Sequence, residues 1–164
     1  MIVVSDTTPL ISLLKINHLD LLERLFGEVL IPQAVFDELT SDERFSSEAN
    51  QIEDSEFIVV TPIRTPEAVS ILRRATGLDK GESEAIVLSD EIKADFLLMD
   101  EAKGRDVSTE IGLKIVGTIG ILMSAYESKE LTTDEVLDCI DGLKRSGRHI
   151  GQRHYKILLD KLNN

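Results

Sequence analysis

Aromatic residues are scarce in these 164 residues, with two Tyr, five Phe and no Trp. A core must therefore be assembled from Ile, Leu and Val, which suit buried parallel strands flanked by helices. Cysteine occurs once, as Cys139, so an internal disulfide and a cysteine-built zinc site are both excluded and a reducing, cytoplasmic compartment is expected. No apolar run approaches the roughly 18 residues of a membrane span. The stretch from Met1 to Leu14 lacks a basic leader and carries Asp6 inside its apolar segment, so neither a signal peptide nor a membrane association is expected. Phosphate-cradling P-loops and nucleophile elbows are missing, and His18, His149 and His154 show no metal-ligand spacing and read as surface residues.

Positive charge is in short supply too: 18 Lys and Arg face 30 Asp and Glu, a formal net charge of -12. That balance excludes a protein that merely coats nucleic acid, whose affinity comes from cations on phosphates. It leaves room for an enzyme that offsets its acids with a bound cation. Charge is unevenly spread: the stretch from Lys144 to Lys156 holds Lys144, Arg145, Arg148, Arg153 and Lys156 and no acid.

The length and a hydrophobic fraction of 42% fit one domain over 1–164, ending in a basic helical segment at about 144–162. Short apolar runs at Ile2–Ser5, Glu28–Ile31, Phe57–Val60, Asp95–Met99 and Lys114–Val116 read as strands. Between them lie helical patterns: Thr8-Pro9 reads as an N-cap and first turn, two short helices break near Asn17, Pro32 opens a helix through about Leu39, and 46–54 forms another. Helices are also expected from Thr65 to Ala75, Asp79 to Ile92, Glu101 to Ile111, Thr118 to Tyr126, from a capping box at Thr132-x-x-Glu135, and over the tail from Gly151 to Leu162. The polar stretch Thr40–Ser47 reads as a loop. This alternation predicts an α/β fold with a mostly parallel sheet covered on both faces.

In such a sheet ligands gather beyond the carboxyl ends of the strands. Asp6 follows the first apolar run and Asp100 the fourth. A helix of about 12 residues rises about 18 Å and the next strand returns over about 16 Å, which brings Glu82 to the same rim. Three carboxylates there would repel one another unless a cation compensated them. Hard oxygen donors point to Mg²⁺ or Mn²⁺, with room for a phosphate and a water. Bland roles compete: Asp79-x-x-Glu82 also has capping-box spacing, Asp100 could cap the helix after it, Glu38 with Asp37 could be surface, Thr7 and Thr8 could be caps, and Lys103 and Arg105 could be a solvated face.

Four segments together resemble the successive motifs of PIN-domain proteins: Val4-Ser5-Asp6-Thr7-Thr8-Pro9-Leu10-Ile11, Ile31-Pro32-x-x-Val35-x-x-Glu38-Leu39, Leu78-Asp79-x-Gly81-Glu82-x-Glu84-Ala85-Ile86 and Leu97-Leu98-Met99-Asp100-Glu101-x-x-Gly104-Arg105. The nearest subgroup is DUF3368, related to VapC-type toxins, and the similarity runs from Ile2 into the tail at Arg148-His149-Ile150 and Tyr155. It implies a five-stranded parallel sheet in a three-layer α/β/α sandwich, a Mg²⁺ or Mn²⁺ site, and cleavage of single-stranded RNA. Asp6, Glu38, Glu82 and Asp100 match the family's acids, with Glu82 where many members have Asp and Glu84 as an alternative or supporting ligand. Thr7, Lys103 and Arg105 are candidates for phosphate contact or ligand support. The implied partners are RNA, an antitoxin protein and a second copy of the chain.

Two other readings compete with a nuclease toxin. A PIN-like module without useful catalysis would bind a protein or RNA partner through its basic tail. A phosphoaspartate protein would use Asp6 as nucleophile, but the second acid expected two residues on is Thr8.

Overall fold

A computed structural model describes residues 1–41 and 43–164. Strands β1 (Val3–Ser5), β2 (Val29–Ile31), β3 (Ile58–Val60), β4 (Phe96–Leu98) and β5 (Ile115–Val116) form one sheet of order β3-β2-β1-β4-β5, with every pairing parallel. The helices are α1 (Thr7–Lys15), α2 (Asp20–Phe26), α3 (Gln33–Ser41), α4 (Ser46–Asp54), α5 (Pro66–Thr76), α6 (Lys80–Glu91), α7 (Ala102–Ile111), α8 (Thr118–Glu127), α9 (Thr133–Arg145) and α10 (Gln152–Leu162). They make the sheet the middle of three layers, as the alternation predicts.

Strand side chains alternate between faces, and the core divides accordingly. Val3, Val29, Ile31 and Leu98 pack with Leu10 and Leu13 of α1, Val35 of α3 and Ile121 of α8. Val4, Leu97 and Met99 turn the other way, onto Ala85, Ile86 and Leu88 of α6. A third cluster joins α8, α9 and α10 through Leu122, Val136, Ile140, Leu143 and Leu158. Cys139 is buried in it with its thiol pushed up to about 11, mainly by burial, which makes it an inert core residue. Among the described residues no helix is long and apolar enough to cross a membrane.

Two local expectations need correction. Helix α1 begins at Thr7, so Asp6 and not Thr8 holds the N-cap position. Pro9 is tolerated in that first turn because the N–H it lacks would have no intrahelical partner there. The stretch expected as a loop after Thr40 is partly helical, since α3 runs to Ser41 and a 3₁₀ turn spans Glu43–Phe45; Asp42, also within that expectation, lies outside the described residues. The break near Asn17 is present, with Asn17 in the left-handed region at φ 58°, where Asn is better tolerated than most residues.

Candidate functional site

The strand order reverses between β1 and β4, and ligand crevices of parallel sheets open at such a switch point. Ser5 pairs with Leu98, so the residues that follow these two strands emerge side by side. Asp6 is one of them, and its backbone N–H donates to the Leu98 carbonyl at 2.9 Å. Its side chain makes no capping bond to α1, although Asp at this position ordinarily does. It is only 3% exposed. Burial raises its pKa to about 7 against the favourable Thr7 backbone amide, and the negative charges of Glu82, Asp79 and Glu38 raise it further.

Those three neighbours come from two elements. Glu38, on α3, accepts a 2.9 Å hydrogen bond from the Thr7 hydroxyl. A Cβ added at Gly81 would lie 3.2 Å from Glu38 Oε2, so glycine at the start of α6 lets α3 bring its carboxylate close. Asp79 and Glu82 form a complete capping box: Asp79 Oδ1 accepts from the Glu82 N–H at 2.8 Å, and Glu82 Oε2 accepts from the Asp79 N–H at 3.0 Å. Burial raises the pKa of Glu82, with Asp79, Glu101 and Glu38 adding to it. Glu82 thus both caps α6 and belongs to the acidic group. Glu84 is engaged elsewhere, accepting from the Ala34 N–H at 2.8 Å; it caps the α3 helix that carries Glu38.

Asp100 stands on the opposite flank. Glu101, not Asp100, caps α7, accepting from the Gly104 N–H at 2.6 Å. Asp100 instead reaches the start of α8, accepting from the Thr118 N–H at 2.7 Å and the Thr118 hydroxyl at 2.6 Å. Gly117 leaves the space this needs, since a Cβ there would lie 2.8 Å from Asp100 Oδ1 and 2.7 Å from Arg105 Nη1. Arg105 also donates to the Met99 carbonyl at 3.1 Å. Lys103 diverges from it, with its Nζ beside Gly77 ahead of α6. From Asp100 and Arg105 a cleft of about 910 Å³ runs between α7, α8 and the tail, and Arg148, His149 and His154 line it. Lys144, by contrast, lies over the Tyr155 ring at 4.3 Å.

The family model DUF3368, a PIN domain, matches residues 2–164. The chain belongs to the PIN-domain family. That family has a nuclease fold, and the parallel five-stranded sheet agrees with it. No curated protein matches the chain.

One buried carboxylate among half-buried and exposed ones supplies oxygen donors of the kind that Mg²⁺ and Mn²⁺ take, and a cation would relieve the negative charge that adds to the effect of burial on Asp6. The donor set of this PIN domain therefore fits a hard divalent ion. As placed, among the described residues, no three His, Cys, Asp or Glu side chains close into a metal cage. The motif reading overlooked Thr118, which holds Asp100, and Glu101, which adds to the charge around Glu82. Applying the strand-end rule to β5 as well as to β1 and β4 would have pointed to Gly117-Thr118. Nothing in the spacing of His149 and His154 shows that these exposed residues share a cleft with Asp100.

Proposed function

We propose that this PIN domain is a metal-dependent endoribonuclease of single-stranded RNA and the toxin of a toxin–antitoxin pair. The observation that carries the reading is Asp6, a buried carboxylate at the switch point surrounded by Glu38, Asp79 and Glu82. Asp6, Glu38, Glu82 and Asp100 would hold Mg²⁺ or Mn²⁺. When bound, the ion supplies a water of lowered pKa and neutralises charge on the phosphate. Thr7 orients Glu38, Thr118 orients Asp100, and Glu84 fixes α3. Arg105 and Arg148 face the same cleft as Asp100 and would meet the RNA backbone, giving an acidic protein the local positive charge that a polyanion needs.

A binding module without catalysis is the second reading, favoured by the engagement of Glu82 in its capping box. A cleavage assay on a pool of structured and unstructured RNAs, with Mg²⁺, with Mn²⁺ and with a chelator, separates the two. Ion-dependent cuts in unpaired segments support the nuclease; RNA binding without cuts under any ion supports the module. An antitoxin encoded in the adjoining reading frame would support the toxin assignment, and sedimentation would test the proposed homodimer.

Gly117→Ala provides a finer test. The backbone at Gly117 (φ -90°, ψ 178°) suits any residue, so stability should fall by no more than about 1 kcal/mol, the worth of a cap. The added methyl should displace Asp100 and Arg105, and misplacing a reacting group by about 1 Å costs on the order of 10²-fold in rate. Unchanged cleavage by a folded Gly117→Ala protein would show that the Asp100 position is not used.

A further inference from the structure

We infer that the cleft beside Asp100 is a nucleobase pocket that receives one unpaired base of the RNA strand. The RNA half of this inference rests on the nuclease reading above; the pocket itself rests on the cleft. Its wall is mainly apolar, with Ile115, Met123, Ile150 and Ile157 contributing. These four are half-buried or exposed, Ile157 to 41%, so the cleft shows water an apolar surface that a ligand could cover. Charged and polar groups of both kinds complete the lining: Arg105, Arg148, His149 and His154 together with Asp100, Glu101 and Asp106.

An apolar wall shared with two arginines and several carboxylates matches a nucleotide, whose flat base gains from burial, whose phosphate gains from arginine and whose base and sugar donors can meet the acids. Phosphate alone would have no use for the wall. A purely apolar ligand would have no use for the arginines. A paired base cannot enter, because recognition of this kind needs bases that can be splayed out of a single strand. The size is suitable, as small-molecule pockets span about 300–1,000 Å³. Asp100 lies on the same wall, so a seated nucleotide brings its phosphodiester to the acidic group, and the pocket would select which linkage is cut.

The chain has three methionines, and one of them, Met123, lines the cleft. Methyl-labelled methionine therefore gives three NMR signals of which one reports on the pocket. The experiment titrates the intact protein, without divalent ions, with the four nucleoside 5′-monophosphates, with ribose 5-phosphate and with inorganic phosphate. At least one nucleotide should shift the Met123 methyl and bind at least tenfold more tightly than ribose 5-phosphate. An RNA hexamer of the same base should compete at that signal with at least a further tenfold gain. Ser124→Phe, which fills the cleft, should weaken nucleotide binding at least tenfold while Met1 and Met99 keep their signals; should that variant fail to fold, Ile157→Asp at an exposed position replaces it with the same expectation.

Ribose 5-phosphate binding as tightly as every nucleotide, or an unmoved Met123 signal, overturns the pocket. Mononucleotide binding with no gain for the hexamer overturns its assignment to RNA and leaves a free nucleotide as ligand. Base-dependent binding by a protein that cleaves no RNA supports the pocket and sinks the nuclease reading. Cleavage with an unmoved Met123 does the reverse.

Discussion

Asp6→Asn and Asp100→Asn should each lower Mg²⁺- or Mn²⁺-dependent RNA cleavage by at least about 10²-fold, the loss commonly seen when one preorganised electrostatic contact to a reacting centre is removed. An amide keeps the shape of the carboxylate and removes the charge that would hold the ion. The two variants should part company in stability. Asp6 is buried among negative neighbours, so its neutral replacement relieves repulsion and the metal-free protein should melt higher. Asp100 accepts two hydrogen bonds from Thr118, and its replacement weakens them, costing about 1 kcal/mol as for a helix cap. Cleavage rates and thermal midpoints with and without Mg²⁺ check both statements; full activity in both variants would refute the mechanism.

The stability of the metal-free protein should depend on pH through Asp6. Its pKa is raised to about 7 in the folded chain, chiefly by burial, from an ordinary value of 3.8. Between these values the folded state keeps a proton that the unfolded state has released, so the Asp6 contribution to stability is complete below about 4 and is lost as pH rises to about 7. At 1.36 kcal/mol per pKa unit the shift sets an upper limit of about 4 kcal/mol on that loss. Glu82, raised in the same sense, adds to the fall. The Asp6→Asn protein should lack the Asp6 part, so the two stability curves converge at pH 4 and separate by pH 7. Saturating Mg²⁺ should restore the wild type at pH 7, since an ion that binds only the folded state stabilises it. Parallel wild-type and Asp6→Asn curves from denaturant titrations across this range would show that Asp6 is not strained.

The layers were legible because each strand is a short apolar run, buried most fully in β1, β2 and β4, and because Pro, Gly and capping residues punctuate the helices. Asp6 was legible for a similar reason: a carboxylate at the end of an apolar strand has few bland explanations. Glu82 was ambiguous in sequence and is dual in structure, since its spacing from Asp79 serves a capping box while its charge bears on Asp6. Asp100 was placed at the rim by the end of its strand, but its anchor was not legible nearby, because its partner Thr118 is 18 residues away across β5. Arg105 and Lys103 look equivalent as near neighbours on one helix, yet they face the cleft and Gly77 respectively. Local patterns reveal helices and strands; which loops meet at a rim is set by the crossovers.

The central position of β1 governs when the residues of the site come together. Its two neighbours are β2 and β4, and the pairing with β4 joins residues 93 positions apart, as in the bond from the Ile2 N–H to the Asp95 carboxylate. Contacts of such sequence separation form late and slow the search for the native state. A nascent chain can pair β1 with β2 early, but the other edge of β1 stays open until β4 has been synthesised, and open strand edges invite association. Asp6 leaves the ribosome well before Asp100, which is not anchored until Thr118 has followed. A site built this way is incomplete until β4, β5 and the start of α8 have all emerged, so its acids meet only after the sheet has closed on both sides of β1.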